Sequence, residues 1–234
     1  MQWICNLQKK RWCNILIFMK QKNILCFGDS NTWGFPPDCG ARYDRKTRWP
    51  GVLQDALGDA FYVIEEGLPG RNTVWDDPVE GGKNGLKQLV PIIHSHMPLD
   101  LVIIMLGTND FKNRFSVSPL DISWSIGRLV KAARESGHPY LGDAPQVLVL
   151  CPPPLADLSR SPFAGIFQGA EEKSRQLSSV LTAYCEENDI PMMDAGRVVQ
   201  TSPIDGVHWE PEEHRKLGEA VADEVQRLLA GSAV

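Results

Sequence analysis

The sequence predicts an α/β protein, a three-layer α/β/α sandwich around a five-stranded parallel sheet. Three observations carry that expectation. From Asn23 onward short apolar runs alternate with longer amphipathic stretches. No internal repeat or low-complexity linker divides the chain, and 234 residues fit one α/β domain. Strands separated by helices need crossover connections, which make the sheet parallel and cover both of its faces.

Each element has its own signal. Residues 23–27, Asn-Ile-Leu-Cys-Phe, read as a buried strand ending at Gly28. Within 48–57, Trp49, Val52, Leu53, Ala56 and Leu57 recur at helical spacing and stop at Gly58. Residues 61–64 form a second strand, followed by a Gly/Pro-rich loop over 67–82. Asn84 caps a helix over 84–96. The most apolar stretch, 99–106, is a strand covered on both faces. A helix over 118–136 and a strand over 146–151 follow, the latter ended by Pro152, Pro153 and Pro154. Then come a helix over 169–188, a short strand over 190–193 and a helix over 210–229. Pro211 suits that helix's first turn, where a missing N–H costs nothing. The expected arrangement is flavodoxin-like, strand order 2-1-3-4-5, with chemistry outside the carboxyl ends of the strands.

Composition narrows the function. With 43% hydrophobic and 23% charged residues the chain is of globular type. A net charge of -5 and a pI near 5.6 argue against nucleic acid or an anionic membrane as partner. No Lys/Arg block interleaved with aromatics appears, and no run approaches the roughly 18 apolar residues of a membrane span. Six cysteines, Cys5, Cys13, Cys26, Cys39, Cys151 and Cys185, form no C-x-x-C pair. They read as free thiols in a reducing, cytoplasmic compartment, with Cys26 and Cys151 in the core. Lys9, Lys10 and Arg11 precede an apolar run over 15–19, too short for a secretory segment of about 7–15 residues and without a small-residue cleavage site. Residues 1–22 are therefore expected to be an extension outside the core, with Met19 a natural start, and 23–234 the domain.

Four segments, three at strand ends and one before the last helix, carry chemistry. After the first strand stands Gly28-Asp29-Ser30-Asn31-Thr32-Trp33-Gly34, which presents a serine where a nucleophile belongs, although a base must activate it. It is not a G-x-S-x-G elbow, and alone it reads as a turn or helix cap. After the second strand, residues 67–73 (Gly-Leu-Pro-Gly-Arg-Asn-Thr) offer a glycine whose N–H can face a ligand, or simply a turn. After the third, Gly107-Thr108-Asn109-Asp110 delivers a side-chain amide to an oxyanion, or an Asx turn. Before the last helix, Asp205-Gly206-Val207-His208 lets a carboxylate reach its own segment's imidazole, fixing the tautomer and freeing Nε2 to take a serine proton. Together they supply nucleophile, base, orienter and oxyanion donors, the full set for acyl transfer.

On these four blocks the chain resembles the SGNH (GDSL) hydrolase family, over roughly 24–229. The resemblance implies Ser30, His208 and Asp205 as a catalytic triad, and an oxyanion hole of the Ser30 N–H, the Gly70 N–H and the Asn109 side chain. The stretches Gly-Asp-Ser-Asn-Thr-Trp-Gly, Val-Ile-Glu-Glu-Gly-Leu and Asp-Leu-Val-Ile-Ile-Met-Leu-Gly-Thr-Asn-Asp are similar to a subgroup of bacterial arylesterases that also transfer acyl groups and make peracids. Two positions depart from the pattern. Some members carry alanine at Gly70, which a backbone donor tolerates, and many carry leucine at Asn31, which bears on pocket polarity. The resemblance implies a serine esterase for small esters, with no metal or organic cofactor and with self-association into a homo-oligomer. The rival within the same chemistry is an acyltransferase or perhydrolase; a carbohydrate deacetylase, a lysophospholipase or a thioesterase shares it too. A non-catalytic flavodoxin-like binding module is the remote alternative, disfavoured because no phosphate-binding glycine loop follows the first strand.

Around the nucleophile, Trp33, Phe35, Phe163, Ile166, Phe167 and Val207 are expected to wall an acyl pocket, with core packing as the other reading. Asp29 and Asp110 read as structural acceptors of loop N–H groups rather than as the triad acid. His94 and His96 suggest a metal pair without a third ligand, so a solvated helix end is expected. Arg71 with Asp76 and Asp77 reads as a salt-bridged loop, with a border of the site entrance as the other reading.

Overall fold

The computed structural model describes residues 21–38 and 41–230. Cys5, Cys13, Cys39 and nearly all of the expected extension lie outside them. Of that extension, Gln21 and Lys22 are described. Lys22 opens the first strand opposite Phe61, and its Nζ donates to the Leu229 carbonyl at 3.0 Å.

Five parallel strands form the sheet: β1 (Lys22–Gly28), β2 (Phe61–Gly67), β3 (Leu101–Met105), β4 (Gln146–Cys151) and β5 (Met192–Asp194), in the order β2-β1-β3-β4-β5. Among the described residues six α-helices accompany them: α1 (Ser30–Trp33), α2 (Trp49–Leu57), α3 (Gly85–His96), α4 (Pro119–Arg134), α5 (Ala170–Glu187) and α6 (Pro211–Ala230).

Side chains alternate across each strand, so the two faces build two cores. Leu25, Phe27, Val102, Ile104, Val147 and Val149 pack against Leu89 and Ile93 of α3, Ile122 and Leu129 of α4, and Leu177 and Leu181 of α5. Ile24, Cys26, Ile103, Met105, Leu148 and Leu150 pack against Trp49 and Leu53 of α2 and Leu217, Val221 and Val225 of α6. This double coverage is why the central strands read as unbroken apolar runs instead of alternating ones. Cys26, Cys151 and Cys185 are buried thiols, the first two inside strands.

The carboxyl ends are level. Gly28 pairs with Gly67 on one side and with Met105 on the other, so the loops after β1, β2 and β3 leave the sheet at one height. The first returns immediately: Asp29 caps α1 through its Oδ1, which accepts the Asn31 N–H at 2.9 Å. A Cβ on Gly28 would collide with the Thr32 side chain, so only glycine lets α1 sit so close to the strand end. No helix among the described residues is long and apolar enough to cross a membrane.

Candidate active site

The site is assembled from four loops. Ser30 is the first residue of α1, held beyond the end of β1 and almost fully buried. His208 lies just before α6, 178 positions away in sequence, and its Nε2 is 2.9 Å from the Ser30 Oγ. Its Nδ1 is 2.5 Å from Asp205 Oδ2. The other carboxylate oxygen, Oδ1, accepts the N–H groups of Val207 and His208 at 2.8 and 2.9 Å. An ionised carboxylate only accepts, so Nδ1 carries the proton and Nε2 is left to accept from the serine hydroxyl.

Asp205 is 1% exposed, and burial by itself pushes its carboxyl up. The hydrogen bond from the His208 ring, the charge of that ring and the two N–H donors outweigh burial and hold the group below the usual carboxylate range. The segment is pinned from behind. Ser202 N–H donates to the His208 carbonyl at 2.7 Å, Gly206 N–H to the Ser202 carbonyl at 2.9 Å, and Ser161 Oγ to the Asp205 carbonyl.

Gly70 and Asn109 converge on the same point. Gly70 follows β2 at a φ of 82°, a conformation natural to glycine. Among the described residues neither the Ser30 nor the Gly70 N–H has an acceptor within the fold. Asn109 opens a 3-10 turn after β3, and its Nδ2 donates to the Arg71 carbonyl at 3.1 Å, which orients the amide and leaves its second hydrogen free. Asp110 accepts the Thr73 N–H at 3.1 Å and the Thr73 hydroxyl, tying the β3 loop to the β2 loop. Burial raises both Asp29 and Asp110 to about 6, against the pull of the Asn31 and Thr73 donors. Both act as loop fasteners, as expected from the sequence.

A cavity of about 250 Å3 opens over Ser30 and His208. Phe35, Phe163, Ile166, Phe167 and Val207 line it, with the Phe35 and Phe163 rings 4.4 and 5.6 Å from the His208 ring. Trp33 does not line it, contrary to expectation. Its ring turns aside to Phe35, 6.3 Å away, and stacks under the Arg42 guanidinium at 5.1 Å. Asn31 is not in the wall either; its Nδ2 donates to the Val207 carbonyl at 3.3 Å, so a polar residue there fastens the histidine segment.

Two further expectations are corrected. Arg71 forms no salt bridge with Asp76 or Asp77. It is buried over the Phe27 ring at 4.0 Å and donates to the Gly28 carbonyl at 2.8 Å and to the Glu66 carbonyl, joining the ends of β1 and β2. Asp76 pairs with Lys87 and Asp77 with Arg114. The half-buried His94 and His96 are not merely solvated: they sit 3.0 Å from the Ser136 carbonyl and 2.9 Å from Glu66 Oε1. Among the described residues no cluster could hold a metal ion.

Sequence reasoning missed four cavity residues: Pro69, Glu80, Lys83 and Lys112. Lys112 had a findable signal, lying three residues after Asn109 in the turn that faces the serine. Glu80 and Lys83 sit in an aperiodic loop whose path only tertiary structure reveals.

The profile described as the GDSL-like Lipase/Acylhydrolase family matches residues 26–216. No curated protein matches the chain by sequence. Among solved structures, the native aryl esterase of M. smegmatis is 45% identical with a TM-score of 0.85, covering 88% of this chain and 99% of that one. A carbohydrate acetylesterase from Sinorhizobium meliloti is 42% identical with the same TM-score and coverages. A second carbohydrate acetylesterase family member from that organism is 38% identical, TM-score 0.85, covering 89% of this chain and 99% of its own. With that profile match and these likenesses, the chain belongs to the GDSL-like lipase/acylhydrolase family and is a carboxylic ester hydrolase.

Proposed function

We propose that the chain hydrolyses small carboxylic esters through a Ser30–His208–Asp205 triad and an acyl-enzyme. The observation that carries this reading is the unbroken relay from the Asp205 carboxylate through both ring nitrogens of His208 to the Ser30 hydroxyl. His208 Nε2 takes the hydroxyl proton as Ser30 Oγ attacks the ester carbonyl, and the resulting imidazolium faces Asp205. The carbonyl oxygen, now an oxyanion, receives the N–H groups of Ser30 and Gly70 and the Asn109 amide. Such a donor is worth about 3 kcal/mol of barrier. His208 then returns the proton to the departing alcohol, and water, activated by the same nitrogen, resolves the acyl-serine.

The small cavity supports a short acyl chain. So does the acetyl ester named for the Sinorhizobium relatives, while the aryl ester named for the M. smegmatis one speaks for a phenolic leaving group. The aromatic wall of Phe35, Phe163 and Phe167 also favours acceptors with an apolar part, which supports acyl transfer to alcohols beside hydrolysis. Self-association is proposed with it, by family resemblance alone. Ser30→Ala should abolish hydrolysis of p-nitrophenyl acetate while leaving the circular dichroism spectrum and melting temperature unchanged. Retained activity in that folded variant contradicts the assignment.

A further inference from the structure

One wall of the cavity carries charge that the hydrolytic steps do not use. Glu80, Lys83 and Lys112 line the cavity together with the aromatic residues. Lys112 is nearly buried and donates to Glu80, which also receives Arg114 Nη2 at 3.1 Å. Arg114 Nη1 reaches Asp77 Oδ1 at 3.1 Å, and Lys112 Nζ lies 3.9 Å from the other oxygen of that carboxylate. These two carboxylates and two cations satisfy one another.

Lys83 is left over. It is half-buried, and its Cε would lie 3.4 Å from a Cβ placed on Gly70, so its stem runs beside the glycine whose N–H faces the reacting carbonyl. Among the described residues its ammonium has neither a carboxylate nor a hydrogen-bond acceptor. In a chain of net charge -5, the wall beside the serine thus carries one uncompensated positive charge. A partly desolvated ammonium gains from any anion brought next to it.

We infer that Lys83 makes the site select esters bearing a carboxylate a few atoms from the scissile carbonyl, with the Lys83 ammonium as its partner. The inference rests on Ser30 being the nucleophile. The carboxylate can ride on the leaving group or on the acyl group, and the substrates below separate the two.

The test measures kcat/KM for two matched pairs: 4-acetoxybenzoate against its methyl ester, and phenyl hydrogen glutarate against phenyl pentanoate. The readout is the anionic-to-neutral ratio within each pair. In Lys83→Met, whose side chain keeps the apolar stem, the ratio should fall about fivefold in at least one pair, the size of one ion pair at a half-exposed site. Lys83→Arg should restore it, and salt at roughly 0.5 M should shrink the wild-type preference. Lys83→Gln serves as a second neutral variant should the Met variant fail to fold. A fall in the first pair puts the carboxylate on the leaving group, and a fall in the second puts it on the acyl group. Unchanged ratios in both pairs, in a folded neutral variant, overturn the inference while leaving esterase activity standing. A wild type inert to all four esters overturns the Ser30 reading and this inference with it.

Discussion

At the residue scale, the site depends on donors held in place before substrate arrives. Asn109 is the side-chain member of the proposed oxyanion hole, and its amide is oriented by the Arg71 carbonyl. Asn109→Ala should lower kcat about 10²–10³-fold with little change in KM, because the lost hydrogen bond matters most once charge develops on the oxygen. Steady-state kinetics on p-nitrophenyl acetate checks it; a rise in KM alone would mean Asn109 serves only ground-state binding. Gly70 shows where family resemblance needs correcting by structure. Alanine there would adopt a φ of 82° and push its Cβ against Glu80 Oε2. Glu80 is not free to swing away, being held by Lys112 and Arg114. The tolerance expected of a backbone donor therefore does not extend to this loop as it stands.

At the scale of elements, caps and partners decide boundaries. Ser118 and Asp121 form a reciprocal capping box at the start of α4: the Asp121 N–H reaches Ser118 Oγ at 3.1 Å, and the Ser118 N–H reaches Asp121 Oδ2 at 2.8 Å. Ser118→Ala should cost about 1 kcal/mol, read as a lower midpoint in urea unfolding, and an unmoved midpoint would deny the cap that role. The Asn84 cap before α3 was legible in the sequence, and β4 matches its expected span residue for residue. Other boundaries were not. The strand β2 runs on to Gly67 because Glu65 and Glu66, which break the apolar run, sit on an edge strand where Glu65 meets Arg45 and Arg48. The strand β5 starts two residues late because the Ile190 N–H still bonds back to Cys185 at the end of α5, at 2.9 Å. The helix α1 is too short to show any periodicity.

At the scale of the whole molecule, burial of titratable groups links stability to pH. His214 of α6 accepts the Trp49 N–H at 3.3 Å across the interface with α2 and is fully buried. Burial, helped by the charges of His208 and Arg48, lowers it to about 3. The unfolded chain therefore binds one more proton than the native one between about pH 6.5 and 3, and stability falls as pH drops through that window. Between pH 7 and 5 this linkage should cost the wild type about 2 kcal/mol relative to His214→Gln. Comparing the two by urea titration isolates it from the opposing trend of Asp29 and Asp110; parallel curves would contradict it.

Three of the four site segments were legible as motifs because each is a polar cluster following an apolar run, and the fourth, Asp205 to His208, stood out by its place before the last helix. The first three converge because the strand order puts β1 between β2 and β3 with level carboxyl ends, and the Asp205–His208 segment reaches them from beyond β5. The charged side of the cavity stayed hidden, since nothing local in residues 80–83 points toward the serine. The proton relay through His208 to Ser30 is tested most directly by treating the intact protein with a fluorophosphonate and mapping the modified peptide. One adduct, on Ser30, should form in the wild type and be lost in His208→Ala. Modification of another residue, or none in a protein that hydrolyses esters, would contradict the assignment of Ser30 as the nucleophile.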